Sequence, residues 1–165
     1  MGFLKKIETA VIPSPLGNIF IEAREGKLSR LRIDVEMEPI APPKGVLEKA
    51  AGELNLYFAR RLSRFSVPTT IPEAASEFQI KVWEAMRAIP YGETRTYGEL
   101  AKMLETSPRA VGGACRRNPI PILTPCHRVV GKNGLGGFSG QWETGVALSQ
   151  KEELLKLEAA TGFVA

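Results

Sequence analysis

Two helix starts lie close together in Thr96-Tyr-Gly-Glu-Leu-Ala-Lys-Met-Leu-Glu-Thr-Ser-Pro-Arg-Ala-Val-Gly-Gly-Ala-Cys-Arg-Arg117. Thr96 and Glu99 have the spacing of a capping box, in which each side chain bonds the other residue's backbone N–H group. Ser107 and Pro108 suit the N-cap and the first position of a second helix. Two short helices joined by a short turn predict a helix-turn-helix.

The second of these helices contains two adjacent glycines, Gly112 and Gly113. Each glycine costs about 1 kcal/mol of helix stability relative to alanine. The absence of a side chain at these positions must therefore have another advantage. Helical spacing places small residues on one face with arginines beside them, namely Ala110, Gly113 and Ala114 with Arg109 and Arg116. The face suits either close approach to an external partner or tight packing against another helix of the protein.

Downstream, the only histidine of the 165 residues follows a cysteine in Pro119-Ile-Pro-Ile-Leu-Thr-Pro-Cys-His-Arg-Val-Val130. A thiol attacks as its thiolate, so a reactive cysteine needs a nearby base or positive charge that lowers its pKa. His127 and Arg128 would supply these groups. If the segment is extended, Cys126 and His127 point to opposite faces, and a water would carry the proton between them. The alternative is an inert cysteine among aliphatic neighbours.

The first part of the chain has the pattern of a small sheet followed by a helix. Three β-type runs, separated by turn signals, cover Lys5–Ile12, Asn18–Arg24 and Lys27–Ile33. Apolar residues at helical spacing predict one helix over Lys44–Arg61. We therefore predict an α+β fold: a structural domain over residues 1–70 with a small antiparallel sheet and a helix, and a mainly α-helical domain over residues 76–165 that contains the helix-turn-helix.

The last part of the chain combines a glycine-rich loop with a helix. Gly131–Gly140 suits a mobile or close-approach loop, and it lacks the Lys and the Ser or Thr that should follow the glycines of a phosphate-binding loop. Ser149-Gln-Lys-Glu152 predicts the start of a final helix that ends near Gly162 and carries Glu158 in its last turn.

Composition limits the class of protein further. The net charge is +4, and the residues from Thr106 to Trp142 include five basic and no acidic ones, which favours either a polyanion site or an ordinary solvated basic surface. Two cysteines and one histidine do not suffice for a zinc site without carboxylates, so no metal is expected. The sequence has neither a membrane-spanning apolar run nor a secretory signal, which predicts a soluble intracellular protein with free thiols.

Four segments, in this order and spacing, resemble the O6-methylguanine-DNA methyltransferase family: Arg109-Ala-Val-Gly-Gly113, Arg117-Asn-Pro119, Pro121-Ile122 and Pro125-Cys-His-Arg-Val-Val130. The similarity extends upstream through Phe78, Tyr91–Glu93 and Tyr97–Leu100, and downstream to Phe138–Gly140 and Leu154–Leu155. It covers the C-terminal half of the chain. The N-terminal half is similar only in its general pattern of sheet and helix.

The resemblance implies direct, irreversible transfer of an alkyl group from O6 of guanine in DNA to Cys126, once per molecule and without a cofactor. His127 would take the thiol proton through a water, oriented by Glu158, although Glu152 or Glu153 would serve if the alignment shifts. Asn118 would hold the active-site backbone, and Tyr97 would donate a proton to guanine N3, although Tyr97 also suits plain core packing. Such a relay is a usual way to activate a nucleophile.

The resemblance also implies how DNA is held, with the damaged base flipped out and the helix-turn-helix in the minor groove. Arg109 would fill the gap in the base stack, and Ala110, Gly113 and Ala114 would lie along the groove. Further implied contacts to DNA or to the base are Arg116, Arg128, Lys132, Ser139 and Gly140. Two departures from the family pattern are Phe138, where members often have tyrosine, and an apparent insertion over Gln141–Val146.

Three other functions compete with this one. A damage-binding relative without an acceptor is disfavoured by the presence of Cys126, and a Cys-His hydrolase would need an oxyanion-hole motif and a distant histidine. A DNA-binding regulator would tolerate Cys126→Ala. The expected partner is double-stranded DNA that contains O6-alkylguanine, bound by a monomer in the cytoplasm or wherever the organism keeps its DNA, with no membrane involved. The sequence leaves open the range of alkyl groups, O4-alkylthymine as a substrate, cooperativity on DNA, thermostability and any role of Cys115 beyond packing.

Overall fold

The computed structural model describes residues 6–39, 42–132 and 145–159. The chain divides into two compact units, Met1–Glu73 and Ala74–Ala165. Within the described ranges, no helix combines the length and the apolar character needed to cross a bilayer.

The first unit contains the three-stranded antiparallel sheet that the sequence predicts. Its strands β1 (Ile7–Ile12), β2 (Ile19–Arg24) and β3 (Lys27–Arg32) pair in chain order. Glu25 and Gly26 join β2 to β3 with φ angles of 50° and 77°. Two successive residues with positive φ are typical of a hairpin turn that matches the strand twist, which explains the glycine at this point.

Helix α1 (Val46–Phe58) packs on all three strands and completes the core of the first unit. Its inward face is Leu47, Ala50, Ala51, Leu54 and Tyr57. Beyond α1 the chain returns along β3, where Leu28 bonds backbone groups of Pro68 and Thr70 at 2.8 and 2.9 Å. The predicted sheet and helix of this unit are confirmed, with ends that differ by at most three residues.

The second unit is built mainly from four helices: α2 (Glu77–Arg87), α3 (Tyr97–Met103), α4 (Pro108–Arg116) and α5 (Gly145–Ala159). The capping box predicted at Thr96 forms, a second one forms at Ser76, and the Ser107 hydroxyl accepts a bond from the N–H group of Ala110. Helix α4 packs against α2 and α3. The indole N–H of Trp83 in α2 donates to the Ala114 carbonyl at 2.9 Å and ties these helices together.

Two features of this unit differ from the expectation. Helix α5 begins at Gly145 and not at Ser149, because Val146-Ala-Leu148 contains no residue that stops a helix, and the capping pattern at Ser149 therefore lies inside it. The sequence also did not predict the parallel pairing of β4 (Arg95–Thr96) with β5 (Val129–Val130). Strands of two residues are too short to show an alternating pattern. The α+β fold class itself is confirmed.

Candidate active site

A short 3-10 turn, Cys126–Arg128, carries the cysteine and the histidine. The turn leads directly into β5 and packs against α5. The segment is therefore not extended at Cys126, and the expectation of opposite faces along a strand does not apply. The reason is Pro125, whose carbonyl accepts the Arg128 N–H at 2.9 Å and closes the turn.

Asn118 organises the loop before this turn. Its side-chain amide donates to the Thr124 carbonyl at 2.7 Å, and its side-chain oxygen accepts the Ile120 N–H at 3.0 Å. The Cys126 N–H donates in turn to the Thr124 carbonyl at 2.8 Å. Buried Ile122 has a φ of 76°, a conformation that costs a β-branched residue on the order of 1–3 kcal/mol and that recurs at functional sites.

The Cys126 side chain lies inside the protein, with 3% of its surface exposed. Burial raises the pKa of its thiol, against the expectation of a lowered one. The rise is opposed by a hydrogen bond from the Asn118 side chain, by the positive charge of Lys151 and by the backbone N–H groups of Cys126 and His127. The resting thiol therefore keeps its proton, and a base must remove that proton for the thiolate to form during the reaction.

His127 supplies a base on the same turn. Its Nε2 lies 2.6 Å from Oε2 of Glu158, and both side chains are buried. Among the residues that the structure describes, none hydrogen-bonds the buried Nδ1. Burial, more than any other influence, lowers the pKa of His127, so the ring is neutral at pH 7 and can accept a proton.

Glu158, and not Glu152 or Glu153, is the carboxylate that meets the histidine. Glu152 is exposed and pairs with Lys156 at 3.3 Å, and Glu153 is exposed as well. Burial by itself would raise the pKa of Glu158, but the hydrogen bonds and charges of His127 and Arg128 outweigh it and hold the pKa far below 4.5. The carboxylate is therefore ionised throughout the physiological range.

Arg128 lies inside this network and not at the protein surface, where a contact to DNA would require it to be. Its Nε and Nη2 donate to the two oxygens of Glu158 at 2.9 and 3.0 Å, and its Nη1 donates to the Ile89 carbonyl at 2.7 Å. The guanidinium also lies 5.7 Å from the ring centre of Tyr91. With 7% of its surface exposed, Arg128 is not available to a phosphate, and its predicted role as a DNA contact is corrected.

Lys151 is a site residue that the sequence did not predict. It is 0% exposed, its ammonium donates to the Val129 carbonyl at 2.6 Å, and it lies 5.6 Å from the ring centre of Tyr97. Burial lowers the pKa of Lys151 to about 8, while the thiols of Cys126 and Cys115 oppose that shift. The available signal was its spacing, because Lys151, Leu154 and Glu158 recur on one face of a helix.

Tyr97 and Cys115 complete the surroundings of the Cys126 thiol. Burial raises the pKa of Tyr97, with a further contribution from the two cysteines, so its hydroxyl keeps its proton. Burial also raises the pKa of Cys115 to about 12, and its thiol lies 3.5 Å from the sulfur of Met86. Cys115 is therefore a poor nucleophile, in agreement with a packing role.

Comparison with known proteins identifies the family. The model of the 6-O-methylguanine DNA methyltransferase DNA-binding domain matches residues 77–160. A Methanosarcina acetivorans protein named methylated-DNA–protein-cysteine methyltransferase is 42% identical over 160 residues, which cover 92% of this chain and 97% of the relative. The chain belongs to the 6-O-methylguanine DNA methyltransferase family. The expectations of family and of a DNA-repair methyltransferase are confirmed.

Solved structures agree with this assignment. The methyltransferase has the fold of Mycobacterium tuberculosis OGT in its complex with DNA, with 35% sequence identity, a TM-score of 0.78 and coverage of 92% of this chain and 93% of that one. A second curated relative, from Mycobacterium leprae, is 39% identical over 153 residues, which are 88% of each chain. The likeness therefore extends over both units and not only over the C-terminal half.

The predicted DNA face of the methyltransferase lies on α4, with one exception. Arg109 and Arg116 are exposed, and Ala110 and Gly113 are partly exposed. Ala114 is buried, because its turn of the helix faces Trp83, so it does not belong to that face and this prediction is corrected.

The remaining predicted contacts fall within or next to the glycine-rich sequence Gly131–Gly140. Lys132 is exposed at the end of β5. Ser139 and Gly140 lie outside the described residues.

Proposed function

We propose that the protein repairs DNA by transferring one methyl or other alkyl group from O6 of guanine to the sulfur of Cys126, once per molecule and without a cofactor. The observation that carries this proposal is the neutral His127, which is paired with Glu158 through Nε2 and has a buried Nδ1 without a bond from any described residue, on the same turn as Cys126. A neutral imidazole in this orientation can act as a general base, because its Nδ1 can accept a proton.

The chemical step follows from these groups. The thiol proton passes through a water to Nδ1 of His127, the sulfur–carbon bond forms, and the bond between that carbon and O6 breaks. The electron pair of the broken bond stays on the guanine, whose N3 takes a proton from the hydroxyl of Tyr97. Lys151 supports the step because its ammonium balances the thiolate that forms beside it.

Access to the sulfur requires a base that leaves the duplex. A thiol with 3% exposure is out of reach of a base inside a DNA stack. Arg109 lies exposed at the start of α4 and would enter the stack in place of the flipped base. Helices α3 and α4 would act as a helix-turn-helix in the minor groove, with Ala110 and Gly113 against the backbone. The M. tuberculosis relative was solved in complex with DNA, which supports DNA as the partner.

Other parts of the chain have supporting roles in this proposal. Arg116 and Lys132 would contact phosphates, and Asn118 would hold the turn that carries Cys126. Ser139 and Gly140 would bond the O6 side of the base. The second unit, Ala74–Ala165, would bind DNA and carry out the transfer, while the first unit is structural and the protein acts as a monomer.

The test is a single-turnover reaction with duplex DNA that contains O6-methylguanine. We expect one added methyl on the Cys126 peptide by mass spectrometry and plain guanine in the DNA. Cys126→Ser should bind the duplex with unchanged affinity and transfer nothing, and Arg109→Ala should react more slowly on the duplex but at the normal rate with the free base O6-methylguanine. Methyl transfer by Cys126→Ser, or a methyl on Cys115, would overturn the assignment. A parallel duplex with O4-methylthymine tests whether the second lesion is accepted.

A further inference from the structure

We propose that Arg128 is a positioning residue that keeps His127 uncharged, by taking up the negative charge of Glu158. This inference rests on the proposed function, in which neutral His127 receives the proton of the Cys126 thiol. It goes beyond that function because it explains what leaves the histidine free to do so.

The geometry of the carboxylate is the first support. Arg128 Nε donates to Oε1 and Arg128 Nη2 donates to Oε2, while His127 Nε2 lies at Oε2 and the Gly92 N–H donates to Oε1 at 3.2 Å. Glu158 therefore shares its single charge between a permanent cation and the imidazole. Its two-point contact with the guanidinium also fixes the plane of the carboxylate, and thereby the direction from which it meets His127.

The charge balance of the buried cluster is the second support. Helix α5 places Glu158 and Lys151 near His127. The 3-10 turn that carries His127 also carries Arg128 and Cys126, and Tyr97 of α3 faces the Cys126 thiol. With Arg128 present, Glu158 is already neutralised, and a proton on His127 would add an unbalanced positive charge beside Lys151. Without Arg128, the buried carboxylate would need another cation, and the nearest group able to become one is His127. A histidine protonated in this way cannot take the thiol proton.

The anchoring of Arg128 is the third support. Its Nη1 donates to the Ile89 carbonyl at 2.7 Å and its guanidinium lies 5.7 Å from the centre of the Tyr91 ring, so the side chain is fixed by contacts other than the carboxylate. A surface arginine would exchange this pairing with water. Here the pair is enclosed, with 7% of Arg128 and 1% of Glu158 exposed.

The experiment uses the fact that His127 is the only histidine of the chain. Its ring Cε1 proton gives a single signal in a proton NMR titration, which needs neither DNA nor transfer. In Arg128→Met we expect the titration midpoint of His127 to move to higher pH than in the wild type. The ratio of variant to wild-type transfer rates should fall about tenfold between pH 8 and pH 6. Arg128→Lys, which keeps the charge, should restore most of the wild-type midpoint.

Two further variants separate this role from a merely structural one. Arg128→Met/Glu158→Gln removes both charges, so the midpoint should return below that of the single variant. Arg87→Met is the control, because Arg87 is an exposed arginine of the same unit that donates to the neutral hydroxyl of Thr124 at 2.9 Å and touches neither His127 nor Glu158 in the bonds described above. It should leave the midpoint unchanged.

The outcomes are distinguishable. An unchanged His127 midpoint in folded Arg128→Met, or an equal change in Arg87→Met, overturns the role of Arg128 while wild-type methyl transfer stands. If Arg128→Met does not fold, Arg128→Lys and the double variant decide the question through the same signal. Failure of the wild type to place a methyl on Cys126 would refute the proposed function instead, and the NMR result would remain a property of the buried cluster.

Discussion

At the scale of single residues, Lys151 provides the positive charge that opposes the cost of forming a thiolate at Cys126. Burial makes the thiolate costly, and the lysine ammonium is the cation whose charge lowers the pKa of that thiol. Burial also disfavours the charged form of Lys151 and lowers its pKa to about 8. It therefore carries a positive charge at pH 7 but is within one unit of losing it. The stabilisation of the thiolate by Lys151 should therefore weaken as the pH rises through about 8.

Lys151→Met tests this role. Methionine fills much of the buried space and removes the cost of burying a charge, so the fold should survive. The pKa of Cys126 should rise further, and its alkylation by iodoacetamide at pH 7, where Lys151 is charged in the wild type, should slow by about tenfold. Lys156→Met is the control, since Lys156 is an exposed residue of the same helix. Equal alkylation rates in Lys151→Met and the wild type would refute the electrostatic role.

At the scale of secondary structure, the sequence of α4 favours a surface without a side chain at Gly113 over the stability of the helix. A Cβ atom added at Gly113 would meet nothing within 4 Å, so no contact inside the described residues requires the glycine. The helix nevertheless forgoes about 1 kcal/mol of helix propensity at this position. Since packing within the protein does not explain Gly113, close approach of an external partner is the better explanation of the two that the sequence left open.

Gly113→Ala therefore separates folding from binding. We expect the free energy of unfolding to increase by up to about 1 kcal/mol. The affinity for duplex DNA should fall, because the added methyl group holds the α4 backbone away from the groove, whereas transfer from free O6-methylguanine should be unchanged. Urea unfolding, DNA titration and single-turnover rates measure the three quantities. Unchanged duplex affinity would show that α4 does not approach DNA along Gly113.

At the scale of the whole molecule, the buried histidine couples stability to pH. Burial holds the pKa of His127 below its ordinary 6.5, so near and below pH 6.5 the unfolded chain binds more protons at this residue than the folded protein does. Stability must then fall as the pH falls through and below 6.5, by up to about 1.4 kcal/mol per pH unit. Glu158, whose pKa is held below 4.5, adds a second loss of stability only at more acidic pH.

Urea unfolding of the wild type and of His127→Gln at pH 7, 6 and 5 measures this coupling. The wild type should lose stability at each step, and the variant should show a clearly smaller slope. Lowered pKa values at Glu22 and Glu53 in the first unit act below pH 4.5 and do not enter this window. Parallel slopes for the two proteins would mean that His127 protonates as readily in the folded state as in the unfolded one.

Much of this molecule follows from local patterns. The turn at Gly26, the capping boxes at Ser76 and Thr96 and the apolar spacing of α1 act over a few residues, and elements of that range are readable from the chain. The order and spacing of the motifs from Arg109 to Val130 likewise sufficed for the family. The start of α5 was misplaced because a capping pattern is permissive and does not exclude an earlier start.

The sequence by itself determined the two-part α+β architecture, the pairing of a cysteine with the only histidine, and the basic helix beside them. Only the tertiary structure decided the electrical state of the site. Arg128 and Glu158 lie 30 residues apart, and Lys151 reaches the Cys126 turn from a different helix. The pKa of a group depends on its burial and on the charges within a few ångströms, and both are properties of packing. For that reason an arginine expected at the DNA surface proved to be an internal counter-ion, and a lysine of no evident role proved to face the thiol.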